Sequence, residues 1–222
     1  MSQLTFDVGA MCDSRPEPDA SLEQFLMESE YVAHQATYLT RLLPGSLVIL
    51  GDDDHVSIPV ALQDEGREIC VIDVDQRVLA SLERWINILG IRNVRLVCKD
   101  LRDADELDGK FDAFYGNPPW SSKNFGHGIR YWLSRALDFC APSCSGAIAM
   151  PANDIPWINF NWVDLEMYSA RNGLRWMTID EVRCRYESTN HPGLYSQNVI
   201  MRRVSDSLRM RERRREGDGI YR

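Results

Sequence analysis

The sequence predicts a single α/β domain built on a Rossmann-like, doubly wound, mostly parallel sheet. Three observations carry that expectation. The chain has 222 residues, enough for one domain with a real core and too few for two. Short apolar runs of strand length recur at 47–50, 69–74, 94–98, 111–115 and 146–150. Helix-like segments separate them near 57–64, 77–89 and 129–139, and strands alternating with helices make right-handed crossovers that give a parallel sheet covered on both faces.

Residues 1–30 read as an N-terminal extension. CDSRPEPDAS is turn-rich, and SLEQFLMESE then reads as a short helix opened by Ser21, with Gln24 as its capping-box partner. The helical period continues over 31–43 and stops at Pro44-Gly45. The alternation of strands and helices follows, as far as residue 150. After it, the tryptophan-rich helical stretch DIPWINFNWVDLEMYSA leads to an extended run at 173–179, and YSQNVIMRRV reads as a last strand. With the loop YESTNHPG between them, these two form an antiparallel hairpin at the sheet edge. The domain proper is 31–204, and 205–222 form a basic, flexible tail whose RMRERRREGDGIYR sets six arginines against three acids.

Composition removes several function classes. At 44% hydrophobic and 26% charged residues the chain sits near the globular average, which excludes disordered, collagen-like and coiled-coil readings. No run approaches the ~18 uninterrupted apolar residues of a membrane span, and the N-terminus has neither a basic start nor an apolar h-region. A soluble, cytoplasmic chain with no membrane partner is expected. The formal charge of −8 opposes a general grip on nucleic-acid backbone. Nucleic acid would meet this chain only through the arginine-rich tail, whereas a cationic small-molecule amine suits its charge. A homodimer is compatible with the pattern. Cys12, Cys70, Cys98, Cys140, Cys144 and Cys184 are scattered, several in apolar runs, and read as buried reduced thiols. Cys140 and Cys144 form the one close pair, with no nearby histidine to complete a zinc site, so no metal is expected.

The chemistry gathers at strand ends. The first strand runs into Gly51-Asp52-Asp53-Asp54-His55 before a helix, a loop that in an open parallel sheet lies beside the ligand crevice. A phosphate-binding loop would be glycine-rich. Here one glycine precedes three carboxylates, which repel phosphate and disfavour NAD, FAD and nucleoside triphosphates. A sulfonium nucleoside carries no phosphate. S-adenosylmethionine ends in an ammonium and a carboxylate, and its decarboxylated form ends in the ammonium alone, so an acidic loop favours the second. Asp52 is expected at the donor's tail, and Asp53 and Asp54 at the ammonium groups of an amine. An acidic helix N-terminus is the plainer account of any one of the three.

Asp73 closes the second strand where doubly wound proteins hold a ribose, with Asp75 next. The third strand ends in Asp100, placed to accept from an adenine amino group, while Leu101 lines the ring pocket. After the fourth strand come Asn117, Pro118, Pro119 and Trp120. The prolines fix a turn, the Asn117 side-chain oxygen and the Pro118 carbonyl can accept hydrogen bonds from an attacking amine, and Trp120 offers an aromatic face. This pattern points to transfer to nitrogen. In the next loop, glycines flank His127, a candidate proton shuttle on a segment able to cover the site. His34 and His191 have weaker claims, and Trp157, Trp162 and Trp176 read as core or edge packing.

Taken together, LVILGDDDHVSIPVAL, ICVIDVDQRVLASLERW, VCKDLRD and FDAFYGNPPW resemble the catalytic domain of the branched-chain polyamine synthases, the N4-bis(aminopropyl)spermidine synthases, over about residues 31–204. The resemblance implies a sheet of the class I methyltransferase type and aminopropyl transfer from decarboxylated S-adenosylmethionine to a polyamine nitrogen. By position, Gly51, Asp52, Asp53 and Asp54 look like the family's acidic motif, Asp73 like its ribose-binding acid and Asp100 like its adenine-side acid. Asn117 stands where the family motif usually begins with Asp. An Asp accepts a proton, whereas Asn accepts only a hydrogen bond, and Asn-Pro-Pro-Trp is similar to the motif of N-methyltransferases acting on amino groups of nucleobases or proteins. Two alternatives therefore stand beside aminopropyl transfer: methyl transfer from intact S-adenosylmethionine to an exocyclic amino group, and a non-catalytic polyamine or nucleoside sensor.

Overall fold

The computed structural model describes residues 6–103, 107, 110–120, 127–153, 156–187 and 193–204; the side chains of His127, Pro156 and Trp157 fall outside that description. The loop 121–126, His191 and the arginine-rich tail 205–222 also lie outside it.

The strands are β1 (Leu47–Leu50), β2 (Ile69–Asp73), β3 (Val94–Cys98), β4 (Phe111–Gly116), β5 (Cys140–Pro151), β6 (Leu174–Ile179), β7 (Cys184–Arg185) and β8 (Tyr195–Arg203). The helices are α1 (Val8–Asp13), α2 (Ser29–Leu42), α3 (Ser57–Gln63), α4 (Gln76–Leu89), α5 (His127–Phe139) and α6 (Pro156–Arg171). The sheet order is β3-β2-β1-β4-β5-β8-β6, with β7 paired to β8 off that path. The first five strands run parallel. β8 is antiparallel to both β5 and β6, so the expected C-terminal antiparallel edge is present, with its second strand innermost.

The central elements follow from simple causes. Every residue of β1 and β2 is buried, as apolar strands covered on two faces require. α4 starts where the Asp75 side chain accepts the Arg77 N–H and ends at Gly90 in the left-handed region, φ 66°. At Gly146 in β5 a Cβ would run into the Phe114 ring, so the residue beside that aromatic has no side chain.

Four expectations need correction. The helix predicted from Ser21 is a single 3-10 turn, Ala20–Leu22, capped by Asp19 and stopped by Glu23 at φ 56°. Gln24 does close a cap, but onto the Asp19 N–H at 2.8 Å. Beyond it the chain is extended, because Glu28 and Glu187 donate backbone N–H groups to Arg185 and Leu26 and Met27 bridges Tyr186; tertiary pairing overrides local helix preference. β5 starts six residues before the predicted 146, since Cys140 already pairs with Phe111 and an irregularity separates that pair from Ala113–Ser145. The short β7 was not anticipated. Five of the six free cysteines are buried as expected, whereas Cys98, the last residue of β3, is exposed. Among the described residues no helix is long and apolar enough to cross a membrane.

Candidate active site

The loop after β1 is built backbone first. Gly51 sits at φ +65°, and a Cβ there would lie 2.6 Å from the Trp132 ring of α5. Both the left-handed backbone and the close approach demand glycine. Its N–H donates to the Ile72 carbonyl (2.8 Å), tying the loop to β2. The three following carboxylates then diverge. Asp52 turns inward and accepts the N–H groups of Val56 (2.7 Å) and Ser57 (3.1 Å), capping α3. Asp54 turns toward the N-terminal segment: its Oδ1 accepts the Met27 N–H (2.6 Å) and lies 3.7 Å from the Arg15 guanidinium, while its Oδ2 accepts from Asn117 Nδ2 (3.1 Å). The half-buried Asp53 carboxylate, between them in sequence, accepts a hydrogen bond from its own backbone N–H and has no other hydrogen-bond or ion-pair partner among the described residues. The three carboxylates thus do different things in the structure: Asp52 caps, Asp54 braces and Asp53 is left with acceptor capacity.

Burial pushes the Asp52 carboxyl up to about 8. Burial, reinforced by the charges of Asp54, Asp73 and Asp52, raises Asp53 well above the ordinary carboxyl range. Asp54 is raised by burial too, against the lowering pull of Arg15, the Met27 N–H and the Asn117 amide. His55 follows at φ 60° and is fully buried. Its Nδ1 lies 3.2 Å from the Asp52 and Asp53 carbonyls and its Nε2 lies 2.8 Å from Ser81 Oγ. Burial drives its pKa down to about 4, so the ring is neutral at physiological pH; the carbonyls then require the proton on Nδ1.

Asp73 is buried at the end of β2, where its two oxygens accept the Asp75 N–H (2.8 Å) and the Asp52 N–H (2.9 Å). This carboxylate joins the β1 and β2 loops. Asp75 caps α4 and pairs with Arg77 (2.6 Å) and Gln24 (3.2 Å); burial raises it, but Arg77 and Gln24 hold it below its ordinary value. Asp100 is clasped by the Arg102 side chain and accepts its backbone N–H at 2.8 Å. Leu101 is 4% exposed and belongs to the core. After β4, Pro118 and Pro119 are buried and Asn117 is half-buried. Trp120 is 9% exposed, donates Nε1–H to the Ala149 carbonyl (3.1 Å) and meets Tyr186 edge-on at 5.4 Å. Its ring thus anchors the turn against the core. His34 pairs with Asp180 at 3.0 Å, on the face of α2 turned toward β6 and β7. Trp162 and Trp176 meet edge-on at 6.0 Å, as packing residues do.

Arg15, Gln24, Met27, His55 and Trp132 were not foreseen as site residues. His55 was legible as the next letter after the acidic run. Arg15 carried no local signal, since its partners are Cys12, Met27, Asp54 and Glu187, the last 172 residues away.

An open, mostly parallel sheet with acids at the carboxyl ends of β1, β2 and β3 and a proline-locked turn after β4 defines an α/β domain with the class I methyltransferase-like fold. Solved structures with this fold include an S-adenosylmethionine-dependent methyltransferase from Aquifex aeolicus (TM-score 0.55, 15% identity, 90% of this chain and 100% of that one). A branched-chain polyamine synthase mutein from Thermus thermophilus, in complex with N4-aminopropylspermidine and 5'-methylthioadenosine, superposes with a TM-score of 0.74 at 19% identity, covering 95% of this chain and 67% of that one. Residues 4–168 match the family model of the branched-chain polyamine synthase A C-terminal domain, and the chain belongs to that family. An N(4)-bis(aminopropyl)spermidine synthase from Thermococcus kodakarensis is 30% identical over 151 residues, 65% of this chain and 42% of the relative. The corresponding enzyme of Methanocaldococcus jannaschii is 27% identical over 125 residues, 52% of this chain and 36% of the relative. The chain therefore spans less than half the length of these two relatives.

Proposed function

We propose that this chain carries out aminopropyl transfer from decarboxylated S-adenosylmethionine to a nitrogen of a cationic polyamine. The observation that carries the reading is Asp53: a carboxylate with no partner from another described residue beyond its own backbone N–H, made costly to ionise by burial and by Asp54, Asp73 and Asp52 around it. A positively charged ligand relieves that repulsion and an anionic one deepens it. The donor, when bound, supplies an electrophilic carbon on a sulfonium and leaves as neutral 5'-methylthioadenosine. Asp73 suits its ribose, because each oxygen has accepted one backbone N–H and a carboxylate has about four lone-pair sites. Asp53 holds an ammonium of the acceptor and, with its raised proton affinity, takes the proton that the attacking nitrogen must lose. Asn117 Oδ1 and the Pro118 carbonyl accept the remaining N–H bonds of that nitrogen and direct its lone pair. Residues 31–204 carry these groups, and the segment before them completes the site through Arg15, Gln24 and Met27.

A second reading, methyl transfer to an amino group, is favoured by one feature: Asn in place of Asp at the head of the Pro-Pro turn. Mass spectrometry of products formed from candidate amines with each donor separates the two. An added aminopropyl unit supports the proposal; an added methyl unit from intact S-adenosylmethionine overturns it.

A further inference from the structure

The Asn117 side chain can face an amine with either its oxygen or its NH2, and only the oxygen can accept a hydrogen bond from the nucleophile. Asp54 decides which. An ionised carboxylate accepts only, so it draws the Asn117 Nδ2–H2 toward itself, as observed at 3.1 Å, and leaves Oδ1 for the substrate. A protonated Asp54 gains a donor, holds the flipped amide equally well and releases the constraint. We propose that Arg15 is a positioning residue for the reaction: from the N-terminal segment it keeps Asp54 in its accepting form and thereby fixes the orientation of the Asn117 amide.

Arg15 is built for this task. Its Nε donates to the Cys12 carbonyl (3.0 Å) and its Nη1 to the Met27 carbonyl (2.9 Å), its Nη2 pairs with Glu187 (3.2 Å), and Nη1 stands 3.7 Å from Asp54 Oδ1. The side chain is 1% exposed and faces a carboxylate 3% exposed. The Met27 N–H donates to Asp54 beside the carbonyl that Arg15 holds, so one side chain sets both the charge and the hydrogen bond. The other groups acting on Asp54 are Asp52 and Asp53 from its own loop, Tyr115 and Asn117 from the end of β4, Cys12 from α1, and Cys184, Tyr186 and Glu187 from β7 and its exit. Among these described neighbours Arg15 is the cation. Burial raises Asp54 and Arg15 opposes it, so loss of Arg15 moves the changeover toward the working pH.

The inference rests on the amine-transfer reading, and two readouts keep their failures apart. In the ligand-free protein, the Asn117 side-chain amide resonances are followed by nitrogen-15 NMR against pH. The wild type should show a shifted amide pair that changes on acidification, and in Arg15→Met the midpoint should rise by about 1 pH unit or more. An unchanged midpoint in Arg15→Met overturns the proposal whatever the activity. Should that variant not fold, Arg15→Gln, which keeps donor groups without the charge, should move the midpoint the same way; no movement there overturns the proposal equally. In assays with spermidine and decarboxylated S-adenosylmethionine, Arg15→Met should lose about tenfold in kcat/KM on the acid limb, the equivalent of one pH unit, with partial recovery at high pH and in Arg15→Lys. Affinity for 5'-methylthioadenosine should hold within about twofold, since Arg15 acts through Asp54. A uniform loss at every pH overturns the positioning role. A wild type that transfers no aminopropyl group yet shows the NMR shift defeats the functional reading alone.

Discussion

At the residue level, the three consecutive aspartates show how little a motif says until each carboxylate is followed to its partners. Asp52 and Asp54 are satisfied by groups elsewhere in the protein, and Asp53 is the one with acceptor capacity left for the proposed amine. Asp53→Asn should therefore weaken spermidine binding by about tenfold or more, the scale of one lost close charge pair, and leave 5'-methylthioadenosine binding nearly unchanged. Calorimetry with the two ligands checks this, and equal losses would contradict the division of labour. A second residue makes an independent point. Arg67 is 4% exposed and its three guanidinium nitrogens are buried without a hydrogen bond. Burial lowers its pKa, and the charges of Asp64 and Asp112 only partly compensate. A buried cation with such poor pairing is better replaced by an apolar chain of similar length. Arg67→Met should raise stability by about 1–2 kcal/mol and Tm by a few degrees, as calorimetry would reveal; a fall in Tm would show that the guanidinium is a net stabiliser.

At the level of elements, the parallel half of the fold was legible because each strand is a compact apolar run ending in a polar cluster, and run length with spacing suffices to order such strands. The acids at the ends of β1, β2 and β3 were legible for the same reason. The extended 24–28 segment and β7 were not, because neither has a hydrophobic period and each is held by the other across the fold. The packing of Trp120 was not legible, because the sequence places it after two prolines without showing the Ala149 carbonyl that its indole N–H reaches across the fold. Gly51 illustrates the coupling between elements: its loop and α5 meet only because no side chain intervenes. Gly51→Ala should destabilise by about 2–4 kcal/mol, combining overpacking with a left-handed alanine. Shortening the clashing ring with Trp132→Phe should recover part of that loss but not the backbone share. A double-mutant cycle in urea tests the claim; strict additivity would mean that Trp132 and Gly51 do not press on one another.

For the molecule as a whole, the buried acidic cluster makes stability depend on pH and on cations together. Asp52, Asp53, Asp54 and Asp73 are all harder to ionise folded than unfolded, with burial the leading cause. The folded state thus holds protons that the unfolded state has released, and stability falls as pH climbs from the ordinary carboxyl value, 3.8, through the raised one, about 8 for Asp52. His55 works the other way, since its folded pKa is about 4 against an ordinary 6.5. Its contribution is complete above 6.5 and is lost as pH falls toward 4. Above pH 6.5 the histidine becomes largely neutral in the unfolded state as well, and the slope up to pH 8 belongs chiefly to the carboxyls. Stability should drop across that window by about 1–2 kcal/mol, a Tm decrease of roughly 3–6 °C for a chain of this size. Spermidine supplies the missing positive charge, so its stabilising effect should be larger at pH 8 than at pH 5.5, where part of the cluster carries protons. Asp53→Asn should flatten both trends. Thermal melts of the two proteins with and without spermidine decide the matter: a spermidine effect that is the same at both pH values would mean that the polyamine binds away from the β1 loop.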